Sequence, residues 1–129
     1  MVNLEGYTNK INLVEADVRS DTVKEAVKNK EIIYHFSSFL GDTVKSVLEA
    51  AQNPIETVDV NVLGTVNLAK AAATSGVLKF IYISTCHVYG EQSANLLPLK
   101  EDVIPNPLDI YACSKYAGEI CLKPFMDKM

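Results

Sequence analysis

Short apolar runs alternate along the chain with amphipathic stretches. Three of these runs predict strands: residues 11–16, 32–36 and 80–83. The second run, Ile-Ile-Tyr-His-Phe, is continuous and apolar, which is typical of a strand buried on both faces of a parallel sheet. We therefore expect a sheet whose strands are covered by helices.

The stretches between these runs predict helices. Thr22 and Glu25 have capping-box spacing before a short helix, and a long amphipathic helix is expected from about Pro54 to Ser75. A last helix carries Tyr111 and ends near Pro124. The alternation of strand and helix predicts an α/β fold of parallel strands joined by right-handed crossovers.

Polar residues follow each predicted strand. Ligands of such sheets bind at the carboxyl ends of the strands, so these residues mark a candidate site. They are Asp17, Ser37, Ser38, Ser84 and Thr85.

Length and composition restrict the class of protein. With 129 residues, the chain forms one domain at most, and 48% hydrophobic with 22% charged residues is ordinary for a globular protein. The net charge of -4 disfavours binding to nucleic acids or anionic membranes. No apolar run reaches the roughly 20 residues of a membrane span, and the N-terminus does not look like a signal peptide. We expect a cytoplasmic protein.

The cysteines and histidines do not indicate a metal site. His35 lies in an apolar run, which predicts a core position. The three cysteines lack metal-ligand spacing and are expected to remain thiols. A zinc site built from Cys86, His87, Cys113 and Cys121 is the alternative, and we assign no metal ligand.

Tyr111 and Lys115 are four residues apart, which places a phenol and an ammonium on one face of the last helix. At about 4 Å, the ammonium would favour the phenolate by about 4 kcal/mol at an effective dielectric constant near 20. This equals roughly three pKa units, enough to make the tyrosine a competent general base near neutral pH. Such pairs also arise by chance, so the pair gains its weight from the motifs around it.

Five segments together resemble the extended short-chain dehydrogenase/reductases, specifically the NAD-dependent sugar-nucleotide epimerase/dehydratases. The likeness covers almost the whole chain. The segments are Asp-Val-Arg at 17–19, Tyr-His-Phe-Ser-Ser at 34–38, Asn-Val-x-Gly-Thr-x-Asn-Leu at 61–68, Ser-Thr-x-x-Val-Tyr-Gly at 84–90 and Tyr-Ala-x-Ser-Lys at 111–115.

The resemblance implies roles for individual residues. Tyr111 would be the acid/base for a sugar hydroxyl, Lys115 would lower its pKa and hold the nicotinamide ribose, and Thr85 would hydrogen-bond the reacting hydroxyl. The cofactor would be NAD, with NADP left open, and the substrate a nucleotide sugar. The remaining residues implied in cofactor binding, beside Tyr111 and Lys115 themselves, are Asp17, Val18, Phe36, Ser37, Ser38 and Asn61.

The chain departs from the family pattern at two places. Dehydratases of the family usually carry Asp-Glu after the threonine, whereas Cys86 and His87 stand here, which favours 4-epimerisation or a related reduction over dehydration. The glycine-rich loop that cradles the cofactor's pyrophosphate is missing, because no two glycines have the required spacing. We therefore expect residues 1–129 to form an incomplete NAD-binding domain, a partial Rossmann-like parallel sheet with family strands three to five and flanking helices. The first two strands and the substrate lobe would lie outside it.

This arrangement would leave strand edges without partners. In the Rossmann order, the strands at 11–16 and 32–36 are separated by two others, so we expect a marginally stable chain or direct pairing of these two strands. The family usually dimerises through the two helices that here carry Asn61 and Tyr111, which implies self-association.

The sequence leaves three functions open. The first is part of a nucleotide-sugar 4-epimerase that uses Thr85, Tyr111 and Lys115. The second is a keto-sugar reductase or sugar dehydrogenase of the same family. The third is a remnant or interaction module without catalysis.

Overall fold

The computed structural model describes residues 6–7, 9–39, 46–92 and 97–129. Five α-helices and two strands follow one another in this part of the chain, together with one π-helical segment and two 3₁₀ segments. Their bounds are α1 Val23–Val27, β1 Ile32–His35, α2 Ser46–Gln52, α3 Pro54–Val58, the π-helical segment Asp59–Gly64, α4 Thr65–Thr74, β2 Lys79–Tyr82, a 3₁₀ turn Cys86–Tyr89, α5 Ile110–Leu122 and a 3₁₀ segment Lys123–Lys128.

Strands β1 and β2 pair in parallel. Their register runs from Ile32 opposite Lys79 to His35 opposite Tyr82. Helices α2 to α4 lie between them in the chain, as a parallel connection requires. The predicted α/β class with parallel strands and flanking helices is confirmed, and both strands lie within one residue of their predicted bounds.

The predicted strand at residues 11–16 is not formed. The segment lies outside regular secondary structure, and Ile11, Leu13 and Val14 are each about half exposed. A strand needs a hydrogen-bonded neighbour, and within the described residues the sheet contains only β1 and β2. The expected direct pairing of 11–16 with β1 is therefore wrong.

Helix α1 packs beside the sheet. Its Val23 and Val27 join Leu68 and Ala71 of α4 in a buried cluster, against which Ile33 and Phe80 of the two strands pack. The predicted helix is present, but the capping box is not formed. Thr22 has helical backbone angles and makes no side-chain cap, and its hydroxyl instead contacts that of Ser20.

The long helix predicted from Pro54 to Ser75 is present as α3, the π-helical segment and α4 in unbroken succession. Pro54 stands in its first turn, where the missing N–H costs no hydrogen bond. Gly76 has a φ of 72° just past its end, a left-handed conformation that favours glycine. The π-helical segment had no sequence signal that we recognised.

No helix in the described part of the chain combines the length and apolar character needed to cross a membrane.

His35 occupies the predicted core position at the carboxyl end of β1, where it is 2% exposed. Its Nε2 lies 2.9 Å from the hydroxyl of Thr65, and its ring contacts those of Phe80 and Tyr82. Burial lowers the pKa of His35 from 6.5 to about 4, and the nearby ammonium of Lys115 acts in the same direction.

This shift predicts sensitivity to acid. Between pH 6.5 and pH 4, His35 is protonated in the unfolded chain and neutral in the folded chain. The free energy of unfolding therefore falls as the pH drops toward 4. At pH 5 the loss is about 2 kcal/mol, from 1.36 kcal/mol for each pKa unit. Urea unfolding at pH 7 and pH 5 measures it, and His35→Asn should lose much of this dependence. Equal slopes with pH in the two proteins would contradict the assignment.

Candidate functional site

The first turn of α5 brings Tyr111 to the site. Asp109 caps the helix by accepting a hydrogen bond from the amide of Ala112 at 2.8 Å. Tyr111 and Lys115 follow one turn apart, 8% and 2% exposed, so both lie on the buried side of α5. The predicted common face is thus the face that packs against the rest of the fold.

Lys115 is a buried cation without an ion-pair partner in the part of the chain described. Its Nζ lies 4.1 Å from the ring centroid of Tyr82, and no described group accepts a hydrogen bond from it. Burial lowers its pKa from 10.5 to about 8, with the carboxylate of Glu119 acting in the opposite direction. Its N–H donors are therefore available to an acceptor brought by a ligand.

Thr85 begins the 3₁₀ turn that follows β2. Its hydroxyl accepts a hydrogen bond from the amide of His87 at 3.3 Å, and the turn packs against α5. The ring of His87 lies edge-on to that of Tyr111, with centroids 6.4 Å apart, and its Nδ1 is 3.7 Å from a carboxylate oxygen of Asp109. His87 thus connects the threonine turn to the first turn of α5.

An open cavity of about 460 Å³ lies beside this turn. Cys86, His87 and Asp109 contribute to its wall, with Leu108 and Gly90. Gly90 has a φ of 62°, and a Cβ there would lie 2.1 Å from the carbonyl oxygen of Asn106, so only glycine fits. The two residues at which the chain departs from the dehydratase pattern therefore face a space that could take a substrate.

Asn61 is buried beneath the site, at 1% exposed, with its amide wholly engaged by protein groups. The amide nitrogen donates to the carbonyl of Phe39 at 3.1 Å and to the hydroxyl of Ser114 at 2.9 Å. Its oxygen accepts from the amide of Phe39 at 2.5 Å. This geometry makes Asn61 a link between α5 and the chain after β1.

Three residues predicted for cofactor binding line one open cleft of about 750 Å³: Asp17, Val18 and Ser37. The cleft lies where the chain leaves residues 11–16 and where β1 ends. Phe36, predicted with them, is largely exposed and stacks on Tyr34. Ser38 is half-buried beside Phe39.

Within the cleft, the carboxylate of Asp17 pairs with Arg19 and remains about half exposed. Its carboxylate accepts hydrogen bonds from the backbone and guanidinium of Arg19, which also contacts Glu56 and Asp59 at 2.8 Å each. Arg19 lowers the pKa of Asp17 from 3.8 to about 2. Contact of this carboxylate with an adenine amino group, which the resemblance implies, would share the carboxylate with Arg19.

The loop that carries Asp17 is held against the long helix. Asn67 donates from its amide to the carbonyl oxygens of Val18 at 2.9 Å and Ser20 at 3.0 Å. A Cβ at Gly64 would lie 2.6 Å from a methyl carbon of Val18, so the helix approaches the loop closely at this glycine. The loop therefore keeps its place although residues 11–16 form no strand.

Several residues that shape the site were not assigned from the sequence. Asn67 and Ser114 lie inside the recognised motifs, and their fixed positions there were an available signal. Arg19 likewise lies in the recognised segment at 17–19. Tyr82 and Glu119 had no such signal. The hydroxyl of Ser84 donates to Glu119 and so joins the end of β2 to α5. The suggested zinc alternative finds no support, since the described histidine, cysteine and acidic residues form no group that could hold a metal.

The residues present are compatible with a nicotinamide dinucleotide. A buried ammonium whose donors have no acceptor among the described residues suits the hydroxyls of a ribose, and a buried phenol stands one turn before it. The open cleft at the carboxyl end of β1 provides room for an extended ligand. Two residues implied in cofactor binding already have protein partners: the carboxylate of Asp17 pairs with Arg19, and the amide of Asn61 bonds to Phe39 and Ser114.

Comparison with known proteins gives a consistent result. The sequence profile of the NAD dependent epimerase/dehydratase family matches residues 2–129. GDP-6-deoxy-D-mannose reductase of Pseudomonas aeruginosa is 43% identical over 79 residues, which are 60% of this chain and 26% of that protein. UDP-glucose 4-epimerase of Mycolicibacterium smegmatis is 36% identical over 117 residues, which are 90% of this chain and 34% of that protein.

A solved structure of MoeE5 in complex with UDP-glucose and NAD superposes with a TM-score of 0.76 at 27% identity. The match covers 87% of this chain and 35% of that one. The chain thus spans between a quarter and two fifths of the length of these three relatives.

Proposed function

Because the chain belongs to the NAD-dependent epimerase/dehydratase family, we propose that it carries the catalytic residues of a nucleotide-sugar 4-epimerase acting by reversible hydride transfer. The observation that carries this proposal is the buried face of α5, on which Tyr111 precedes Lys115 by one turn. Similarity to a UDP-glucose 4-epimerase over 90% of the chain supports the choice of reaction.

In this proposal Tyr111 exchanges a proton with the C4 hydroxyl of the sugar. Lys115, whose ammonium has no competing hydrogen bond in the described structure, stabilises the phenolate and holds the ribose of the cofactor. Thr85, connected to Tyr111 through His87, accepts or donates a hydrogen bond at the same hydroxyl. The cofactor, NAD or NADP, supplies a reversible hydride acceptor when bound.

A keto-sugar reductase is the second candidate. This interpretation is supported by the similarity to a GDP-6-deoxy-D-mannose reductase, which is 43% identical over 79 residues. The same three residues would then serve reduction in one direction only. Interconversion of UDP-glucose and UDP-galactose without net change of the cofactor distinguishes the epimerase from the reductase, which would consume the reduced cofactor.

Calorimetry with NAD tests the proposal on the purified chain. We expect binding that Lys115→Ala weakens by about tenfold, since a charge-assisted hydrogen bond contributes about 1.5 kcal/mol or more. Lys70→Ala, an exposed lysine on α4, is the matched control and should bind as the parent does. Tyr111→Phe should keep binding and lower any epimerase turnover by about 10²-fold or more. Equal binding by both lysine variants would contradict the role proposed for Lys115, whereas absence of binding would mean that residues 1–129 do not hold NAD without a glycine-rich loop.

A further inference from the structure

Tyr82, the last residue of β2, makes two contacts with one residue of α5. Its ring centroid lies 4.1 Å from Nζ of Lys115, and its hydroxyl donates to the backbone carbonyl of Lys115 at 3.3 Å. The same side chain thus holds both the ammonium and the backbone of this lysine. No motif in the sequence pointed to Tyr82.

The helix is shaped to receive this ring. A Cβ at Gly118 would lie 2.5 Å from the hydroxyl oxygen of Tyr82 and 3.0 Å from the ring carbon that bears it. Any larger residue at 118 would displace the ring. On the sheet side, His35 contacts Tyr82 with ring centroids 5.5 Å apart, so the ring is fixed from two elements.

We propose that Tyr82 is a positioning residue for Lys115. The aromatic face of Tyr82 keeps the buried ammonium of Lys115 charged and in place at the carboxyl end of β2. The inference rests on the proposed function in one respect only, the role of Lys115 in binding a ligand. The contact itself belongs to the chain as it stands.

The physical reason is that burial disfavours the charged lysine, and the ring face offsets part of this cost. The negative face of an aromatic ring attracts a cation without itself carrying charge. Burial raises the pKa of the Tyr82 phenol, so the ring stays neutral at all ordinary pH values. Within the described residues, the other titratable groups near the ammonium are Glu119, which favours its charge, His35, which is neutral above its lowered pKa, and Tyr111 one turn earlier.

Nuclear magnetic resonance of lysine side-chain carbons gives the pKa of Lys115 directly, without any cofactor. We expect Tyr82→Leu to lower this pKa by about half a unit to one and a half units, the range that cation–π energies imply. Tyr82→Phe keeps the ring face and should leave the pKa almost unchanged. Phenylalanines with one, two and three ring fluorines at position 82 should lower it stepwise, because fluorine weakens the negative face at nearly constant shape.

The fluorinated series keeps the test decisive if the leucine variant does not fold. Tyr34→Leu, which removes an exposed ring of β1, is the control and should not move the pKa of Lys115. A pKa that stays constant across the fluorinated series would overturn the inference. Because no cofactor is present, that result would be distinct from a failure of NAD binding, which bears on the proposed function alone.

Discussion

Asn61→Ala is expected to lower the free energy of unfolding by about 2–4 kcal/mol. The substitution removes three hydrogen bonds at once, to the amide and carbonyl of Phe39 and to the hydroxyl of Ser114. A net hydrogen bond contributes about 1 kcal/mol, and a buried polar group left unpaired costs about 1–3 kcal/mol more. The loss is therefore larger than for an ordinary surface asparagine, and urea unfolding at neutral pH measures it.

Asn67→Ala provides a matched control for this prediction. Asn67 lies six residues further along the same helix, is half-buried and also donates two hydrogen bonds from its amide, to Val18 and Ser20. These carbonyls belong to a loop that solvent reaches, so we expect a cost of about 1 kcal/mol. If the two variants lose equal stability, Asn61 is not the link between α5 and the chain after β1 that the structure indicates.

Lys115→Met is expected to raise the free energy of unfolding at pH 7 by about 2–3 kcal/mol. The folded pKa of about 8 lies below the unfolded value of 10.5, so the folded chain holds the proton less tightly. The penalty is fully present below pH 8, fades as the pH rises from 8 to 10.5 and is absent above. The full shift corresponds to about 3 kcal/mol, and the contact with Tyr82 lost in the variant reduces the gain.

The pH dependence separates this effect from a general gain in packing. The advantage of Lys115→Met should shrink between pH 8 and pH 10.5, whereas Lys70→Met, at an exposed position of α4, should show no such change. An advantage that is constant from pH 7 to pH 10.5 would mean that the charge of Lys115 is not the source. If Lys115→Met raises the free energy of unfolding, this would also indicate that the lysine is retained for function at a cost in stability.

The sequence predicted the elements whose signal is local. The continuous apolar runs at β1 and β2 identified the two parallel strands. The expected burial of β1 on both faces is wrong, because Ile32 and Tyr34 are 48% and 60% exposed while His35 is buried. The spacing of Tyr111 and Lys115 placed them on one face, since helical geometry depends on spacing alone. Gly76 marked the end of the long helix, because the left-handed backbone conformation just past a helix end favours glycine.

The sequence did not predict features that depend on partners distant in the chain. Residues 11–16 have the pattern of a strand, yet hydrogen bonds from a neighbouring strand decide whether one forms. The ion pair of Asp17 with Arg19, which also contacts Glu56 and Asp59 far along the chain, was likewise not predicted. The contact of Lys115 with Tyr82 joins residues 33 positions apart, and a single sequence carries no signal for such a pair.

The π-helical segment Asp59–Gly64 has a consequence for changes in chain length. A π-helical turn accommodates one residue more than an α-helical turn, so it equals a single-residue insertion in an α-helix. Removing one residue between 59 and 64 would turn this wide turn, in which Asn61 lies, into an ordinary α-helical turn and leave α3 and α4 on their present faces. Removing one residue from α3 would instead rotate everything after it by about 100° and carry Leu68 out of the core. The helix would thus tolerate a one-residue deletion best in the segment that contains Asn61, the residue at which we expect a substitution to be most costly.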